Sequence, residues 1–137
     1  MTTPNADGFY MPAEFEPHHG TVLVFPERPG SWGTDPSAAQ AAFSAIAARL
    51  SRCEQVYMLV NDRTAAAAER MLPKTVKLLH IDTDDAWARD IAPTFVRNAA
   101  GEVRGISWQL MHGAGHMTDC IPIMQTMMPP QMQSAKP

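Results

Sequence analysis

The sequence predicts an α/β domain, and three observations carry that expectation. Short β-branched and apolar runs stand at Thr21–Phe25, Gln55–Val60 and Val76–Ile81. Alanine-rich stretches with helical spacing lie between them. Each changeover is marked by Pro, Gly or Asp, the residues that interrupt regular backbone. Strands that alternate with helices pack as a sheet covered by those helices.

In chain order, Thr21–Phe25 reads as a first strand, halted by Pro26 and then by Pro29-Gly30. Asp35-Pro36 opens a helix, with Asp35 as N-cap and Pro36 in the first turn. Phe43, Ile46 and Leu50 then recur on one helical face. Gln55–Val60 reads as a buried strand. Asp62 is placed to cap a second helix through Ala65–Ala68 to Met71, which Pro73 ends. Val76–Ile81 is a third strand. Thr94–Arg97 and Val103–Trp108 flank the turn-rich Asn98-Ala99-Ala100-Gly101 and predict a hairpin. The order is β-α-β-α-β-β-β.

The chain has 137 residues, the size of one domain, and its 45% apolar content is enough for a core. A net charge of −3 with scattered Lys and Arg gives no footprint for nucleic acid. No apolar run approaches the length of a membrane span. Residues 1–8 lack the basic-then-apolar pattern of a signal peptide. Cys53 and Cys120 do not make a disulfide framework, so a reducing, cytoplasmic setting is expected. Cys53, just before a strand, reads as a small buried hydrophobe.

The densest chemistry lies in Asp84-Asp85-Ala86-Trp87-Ala88-Arg89-Asp90, followed by Pro93-Thr94. It directly follows the third strand, and loops at strand ends are where α/β proteins place binding groups. An indole face beside a carboxylate suits a planar cation. The carboxylate accepts two parallel N–H bonds while the ring stacks. The same stretch also reads as a solvated acidic loop in which Arg89 neutralises its neighbours.

Three ordered blocks between Gly8 and Trp108 resemble the agmatine deiminases of the Porphyromonas-type peptidylarginine deiminase family. They are Gly8-Phe9-Tyr10-Met11-Pro12-Ala13-Glu14-Phe15-Glu16-Pro17-His18, then Phe25-Pro26-Glu27-Arg28-Pro29 with Trp32, then Asp84 to Asp90 with Pro93-Thr94. The resemblance implies a pentein fold, a closed ring of five ββαβ-type units around a central active site, of which this chain would hold an incomplete part. It implies hydrolysis of agmatine to N-carbamoylputrescine and ammonia, a step of putrescine biosynthesis, with no cofactor and no metal. A cysteine thiolate attacks the guanidinium carbon, a histidine moves protons, and carboxylates hold the guanidinium.

By that resemblance Trp87 and Asp90 are the substrate-binding residues, matching the family's tryptophan beside the substrate and the aspartate that grips its nitrogens. Arg89 matches the family's Arg-Asp pair and takes a structural role. Asp84 and Asp85 match in type and are possible further members of the site. The family's nucleophilic cysteine and proton-shuttling histidine are expected to lie beyond this chain, which leaves no catalytic residue to assign. The fragment by itself is therefore expected to be inactive, and its uncovered edges are expected to favour self-association.

The chain changes character after Trp108. The domain-like part is expected to span 1–108, and 109–137 to be a divergent, disordered tail. That tail carries Met111, Met117, Met124, Met127, Met128 and Met132 with Pro122, Pro129 and Pro130, and no period survives in it. His112 and His116 have a spacing that can bind zinc on a helix, with Asp119 and Cys120 nearby. Gly113 and Gly115 argue against that helix. Codons offer an origin for the tail. Met111-His112-Gly113 read two bases later can encode Ala-Trp, which fits the family's Asn-Ala-Trp-Gly continuation. A reading-frame slip near Leu110 with a stop after Pro137 is the expectation. A naturally divergent tail is the alternative, and the DNA downstream of the Leu110 codon decides.

Two other functions fit the residues. Asp82-Thr83-Asp84-Asp85 after an apolar strand resembles a D-x-D phosphotransferase site, in which Asp82 and Asp84 would hold Mg²⁺. No Gly-rich phosphate loop accompanies it. The chain also fits a non-catalytic module that binds guanidinium ligands without turnover.

Overall fold

The computed structural model describes residues 3–83 and 86–106. They belong to two compact units. One is His18–Ile91, and the other joins residues up to Pro17 with those from Ala92 onward.

The His18–Ile91 unit is built on three parallel strands in the order β1-β2-β3, namely Gly20–Val24, Gln55–Val60 and Lys77–His80. Parallel neighbours need long crossovers, and helices supply them here. After β1 come a single turn, α1 (Pro29–Trp32), and the long α2 (Ser37–Leu50). After β2 comes α3 (Asp62–Met71), and after β3 another single turn, α4 (Ala88–Ile91). The register runs from Gly20 opposite Gln55 to Val24 opposite Leu59, and from Tyr57 opposite Lys77 to Val60 opposite His80.

The core follows from the period of β2. Val56, Met58 and Val60 alternate onto one face and bury fully against Ala47 of α2 and Ala65 and Ala68 of α3. Leu59 on the other face is also fully buried, as a central parallel strand requires. Each such side chain contributes roughly 1.5–3 kcal/mol of burial. Phe25, Leu72 and Val76 complete the cluster.

Local chemistry sets the helix ends. The N-cap of α2 falls on Pro36, one residue later than the sequence predicts. Asp35 stands just before it, and its Oδ1 accepts the N–H of Ser37, the first helical residue, at 3.0 Å. That bond holds the Asp35 carboxyl below its ordinary value of 3.8. Trp32 meets Phe43 edge-on at 5.7 Å, and Gln40 Nε2 donates to the Pro26 carbonyl at 2.9 Å. These contacts tie the segment after β1 to α2.

Four further expectations need correction. The buried stripe of α2 passes through Ala47, whereas Ile46 is exposed. The small Ala47 lets the helix approach the sheet closely, and that stripe wins over the one through Ile46. Asp62 is the first residue of α3 and not its cap; Asn61 stands at the N-cap. Cys53 is exposed rather than buried, because it sits in the turn between α2 and β2, where its N–H donates to the Leu50 carbonyl at 2.9 Å. The stretch from Ala88 to Ile91 is helical rather than loop.

The second unit contains the predicted hairpin. β4 (Thr94–Arg97) and β5 (Val103–Ile106) pair antiparallel, with Val96 opposite Arg104. Gly101 takes φ +84° in the connection, where its N–H reaches the Asn98 carbonyl at 3.0 Å. Tyr10 adds one antiparallel rung to Arg97. Arg104 stacks 3.9 Å from the Phe9 ring centroid and pairs with Asp7 at 2.7 Å.

The described residues therefore form a mixed α/β structure with an open three-stranded sheet and a hairpin. The end of the expected fifth strand, Ser107 and Trp108, and the whole of 109–137 lie outside the described residues. Among the described residues no helix is long and apolar enough to cross a membrane.

Candidate functional site

All three parallel strands run the same way, so their carboxyl ends share one edge. That edge is where open α/β sheets gather ligand-binding groups. Glu27 follows β1, Asn61 follows β2 and Thr83 follows β3. The three meet through the Asn61 side chain, which is only 4% exposed. Its Oδ1 accepts the Thr83 N–H at 2.7 Å, and its Nδ2 donates to the Thr83 carbonyl at 2.9 Å. The same Nδ2 also donates to Glu27 Oε1, which accepts from the Arg63 guanidinium as well. The Glu27 carboxylate is largely buried at 11% exposure, while Arg63 reaches it from solvent. Burying a carboxylate is tolerated when it is paired and hydrogen-bonded, and here one oxygen carries both partners.

The chain then runs from Thr83 to the residues that the sequence singled out. Ala86 is buried, and Trp87 stands at the entrance of α4, 59% exposed. The Asp90 and Ile91 N–H groups donate to the Trp87 carbonyl at 3.0 and 3.2 Å. Trp87 and Asp90 are thus joined across one helical turn, a spacing that brings Cβ atoms within roughly 5–6 Å. Asp90 and Arg89 are both exposed, and α4 lies against β1. An exposed indole and an exposed carboxylate one turn apart offer a stacking face and a bidentate acceptor to a planar cation.

Asp84 and Asp85, the two possible further members of the site, lie outside the described residues. So does the Asp84 half of the proposed Mg²⁺ pair; Asp82 is described and exposed. His112, His116, Asp119 and Cys120 are likewise outside. Among the described residues no group of three or more His, Cys, Asp or Glu side chains is arranged to hold a metal ion.

His18, before β1, belongs elsewhere. His18 Nε2 lies 2.6 Å from Glu54 Oε2, and the Thr21 hydroxyl donates to Glu54 Oε1 at 2.9 Å. Glu54 immediately precedes β2, so this group clasps the amino edge of the sheet, opposite the carboxyl edge. Cys53 is on that amino side too.

Sequence reasoning missed Glu27 and Asn61 as members of the carboxyl edge. Glu27 sits inside the Phe25–Pro29 block, but nothing local marks it as buried. Asn61 ends a strand and begins a helix, which is a signal for capping rather than for a contact with a distant loop.

Residues 10–120 match the family described as Porphyromonas-type peptidyl-arginine deiminase. The chain is 48% identical over 108 residues to an agmatine deiminase of Ectopseudomonas mendocina, covering 78% of this chain and 29% of that protein. It is 44% identical over 108 residues to an agmatine deiminase of Pseudomonas aeruginosa, with coverage of 78% and 29%. Among solved structures it resembles the agmatine deiminase of Enterococcus faecalis with a TM-score of 0.76 and 36% identity, covering 80% of this chain and 30% of that one. The chain spans about a third of the length of the curated relatives it matches, 29% to 34%.

Proposed function

The chain belongs to the Porphyromonas-type peptidyl-arginine deiminase family, and from that premise we propose that it carries the guanidinium-recognition part of an agmatine deiminase. The reaction is hydrolysis: water replaces one terminal nitrogen of the agmatine guanidinium, giving N-carbamoylputrescine and ammonia. The observation that carries this reading is an exposed Trp87 one helical turn before an exposed Asp90, at the carboxyl side of a parallel sheet. The relatives' name, agmatine deiminase, supports the choice of substrate.

In this reading the Asp90 carboxylate accepts two N–H bonds from the guanidinium and holds it flat against the Trp87 ring. A fixed carboxylate keeps the amidine protonated and oriented, so that its central carbon is electrophilic when a thiolate approaches. Asp84 and Asp85 are proposed as further carboxylates near the cation. The nucleophile and the proton shuttle are not assigned to residues of this chain. We assign no cofactor, metal, nucleic-acid or membrane partner, and place the protein in a reducing cytoplasmic setting. The sheet and hairpin are proposed to be units of a pentein-type ring.

A calorimetric titration tests the reading. Agmatine is expected to bind the chain, and putrescine, which lacks the guanidinium, is expected not to. Asp90→Asn removes a charge-assisted pair that contributes about 1.5–3 kcal/mol, roughly a ten- to hundredfold loss of affinity. Equal affinity of the variant and the original chain for agmatine would reject the assignment.

A further inference from the structure

We propose that Asn61 is the positioning residue of this site: it pins the start of the loop that presents Trp87 and Asp90. The inference rests on the guanidinium reading above and adds a residue to it that does not touch the ligand. Its basis is the geometry at the carboxyl edge. The backbone ladder between β2 and β3 runs up to the Ile81 N–H, which donates to the Val60 carbonyl at 3.2 Å. One residue further along β2, the main chain turns away to start α3, and the Asn61 carbonyl accepts the Thr64 and Ala65 N–H groups at 2.9 and 3.0 Å. The ladder would end there. Instead the Asn61 side-chain amide takes over as a rung, giving and receiving one hydrogen bond with the Thr83 peptide at 2.9 and 2.7 Å.

An amide side chain is suited to this task because it presents one donor and one acceptor in the geometry of a peptide group. Aspartate would offer no donor to the Thr83 carbonyl. The second Nδ2 hydrogen goes to Glu27, so the rung is itself braced from the end of β1. Burial of Asn61 keeps water from competing for these bonds. Thr83 is thus held by two hydrogen bonds, and Ala86, directly before Trp87, is buried. An anchor held in place before the ligand arrives lowers the ordering cost on binding.

The experiment uses the whole chain at low micromolar concentration and compares it with Asn61→Ala, Asn61→Ser and Arg63→Ala. Serine is a good N-cap, so Asn61→Ser keeps the start of α3 while losing the rung, and serves should alanine prevent folding. Hydrogen exchange is read at Thr83, Asp90 and Ile91 and, as an internal reference, at Val56–Val60 of β2. Loss of one or two net hydrogen bonds predicts roughly tenfold or faster exchange at the loop amides in the Asn61 variants, with the β2 amides little changed. Arg63→Ala, which takes a partner from Glu27 and leaves the rung, is expected to match the original chain. Unaltered loop exchange in the Asn61 variants, or an equal rise in Arg63→Ala, overturns the proposal. Agmatine titration is run in parallel. If the original chain does not bind agmatine, the functional reading fails, and exchange still decides the role of Asn61. If it binds, Asn61→Ser is expected to weaken affinity about tenfold through the lost preorganisation, and unchanged affinity with a loosened loop would also overturn the proposal.

Discussion

The carbonyl oxygen of Gln55 closes off the space beside the α-carbon of Gly20: a Cβ built on Gly20 would fall well inside van der Waals contact with it. The two residues are register partners on the first rung between β1 and β2. The obstacle is backbone in a parallel ladder and cannot rotate away. Gly20→Ala is therefore expected to cost on the order of 1–3 kcal/mol, the range for overpacking a fitted site. Chemical denaturation of the two chains measures it. A variant as stable as the original would mean that the strands do not pair in this register.

Trp87 separates binding from stability. At 59% exposure it contributes little to packing, so Trp87→Ala should change stability by less than about 0.5 kcal/mol. Its stacking on a guanidinium at an exposed site is worth about 0.5–1 kcal/mol, roughly a two- to fivefold loss of agmatine affinity. A thermal melt and a titration of the same preparation give both values. A large fall in melting temperature would make Trp87 a packing residue.

The Asp35–Ser37 hydrogen bond predicts a pH dependence with a definite sign. Its folded carboxyl titrates below the ordinary value of 3.8 because the charged form accepts the Ser37 N–H. The unfolded chain thus takes up the proton first as pH falls. The bond's contribution is fully present above the unfolded value and is lost as pH drops through the folded one. Asp35→Asn should melt below the original chain at neutral pH, and the two melting temperatures should converge toward pH 2. A constant gap across that range would assign the effect to something other than this charge.

Edge strands predict association. Among the described residues β2 has neighbours on both sides, whereas β1 and β3 each pair on one side only. Unpaired strand edges recruit other chains. Sedimentation is expected to show an average mass that rises with concentration. A single monomeric species over a hundredfold range of concentration would contradict it.

Recognition without a held nucleophile should not give turnover, because binding a guanidinium does not by itself lower the barrier to its hydrolysis. Ammonia release from agmatine by residues 1–137 is expected to stay at background. Cys53 is exposed beside the amino edge of the sheet, away from the Trp87 side. Cys120 is the remaining thiol. Turnover that vanishes on Cys120→Ala would show a working nucleophile in the chain and defeat this expectation.

Much of the architecture was legible in the sequence. Gln55–Val60, Thr94–Arg97 and the hairpin turn stand where the runs and breakers put them, and Asp35 bonds the first residue of α2 although the N-cap itself falls on Pro36. These are local effects. A strand run, a turn glycine or a cap acts within a few residues, so neighbouring side chains carry the information. The motif from Asp84 to Asp90 was equally visible, since its residue types sit side by side. The helical turn beneath Trp87 and Asp90 was not, because four residues are too few to show a period.

Tertiary structure decided the rest. Ala47 rather than Ile46 faces the sheet because helix and strands must approach closely, a condition that α2's own spacing does not state. Asn61 reaches Thr83 across 22 positions of sequence and Glu27 across 34. Their meeting depends on three strands ending at one edge in a particular register, and the register is set by the burial of Val56, Met58 and Val60. Sequence therefore determined which chemical groups the loop carries and where its strands and helices begin. Only the packed sheet determined what bonds Thr83 at the end of β3, because hydrogen bonds between strand ends exist only after the strands have paired.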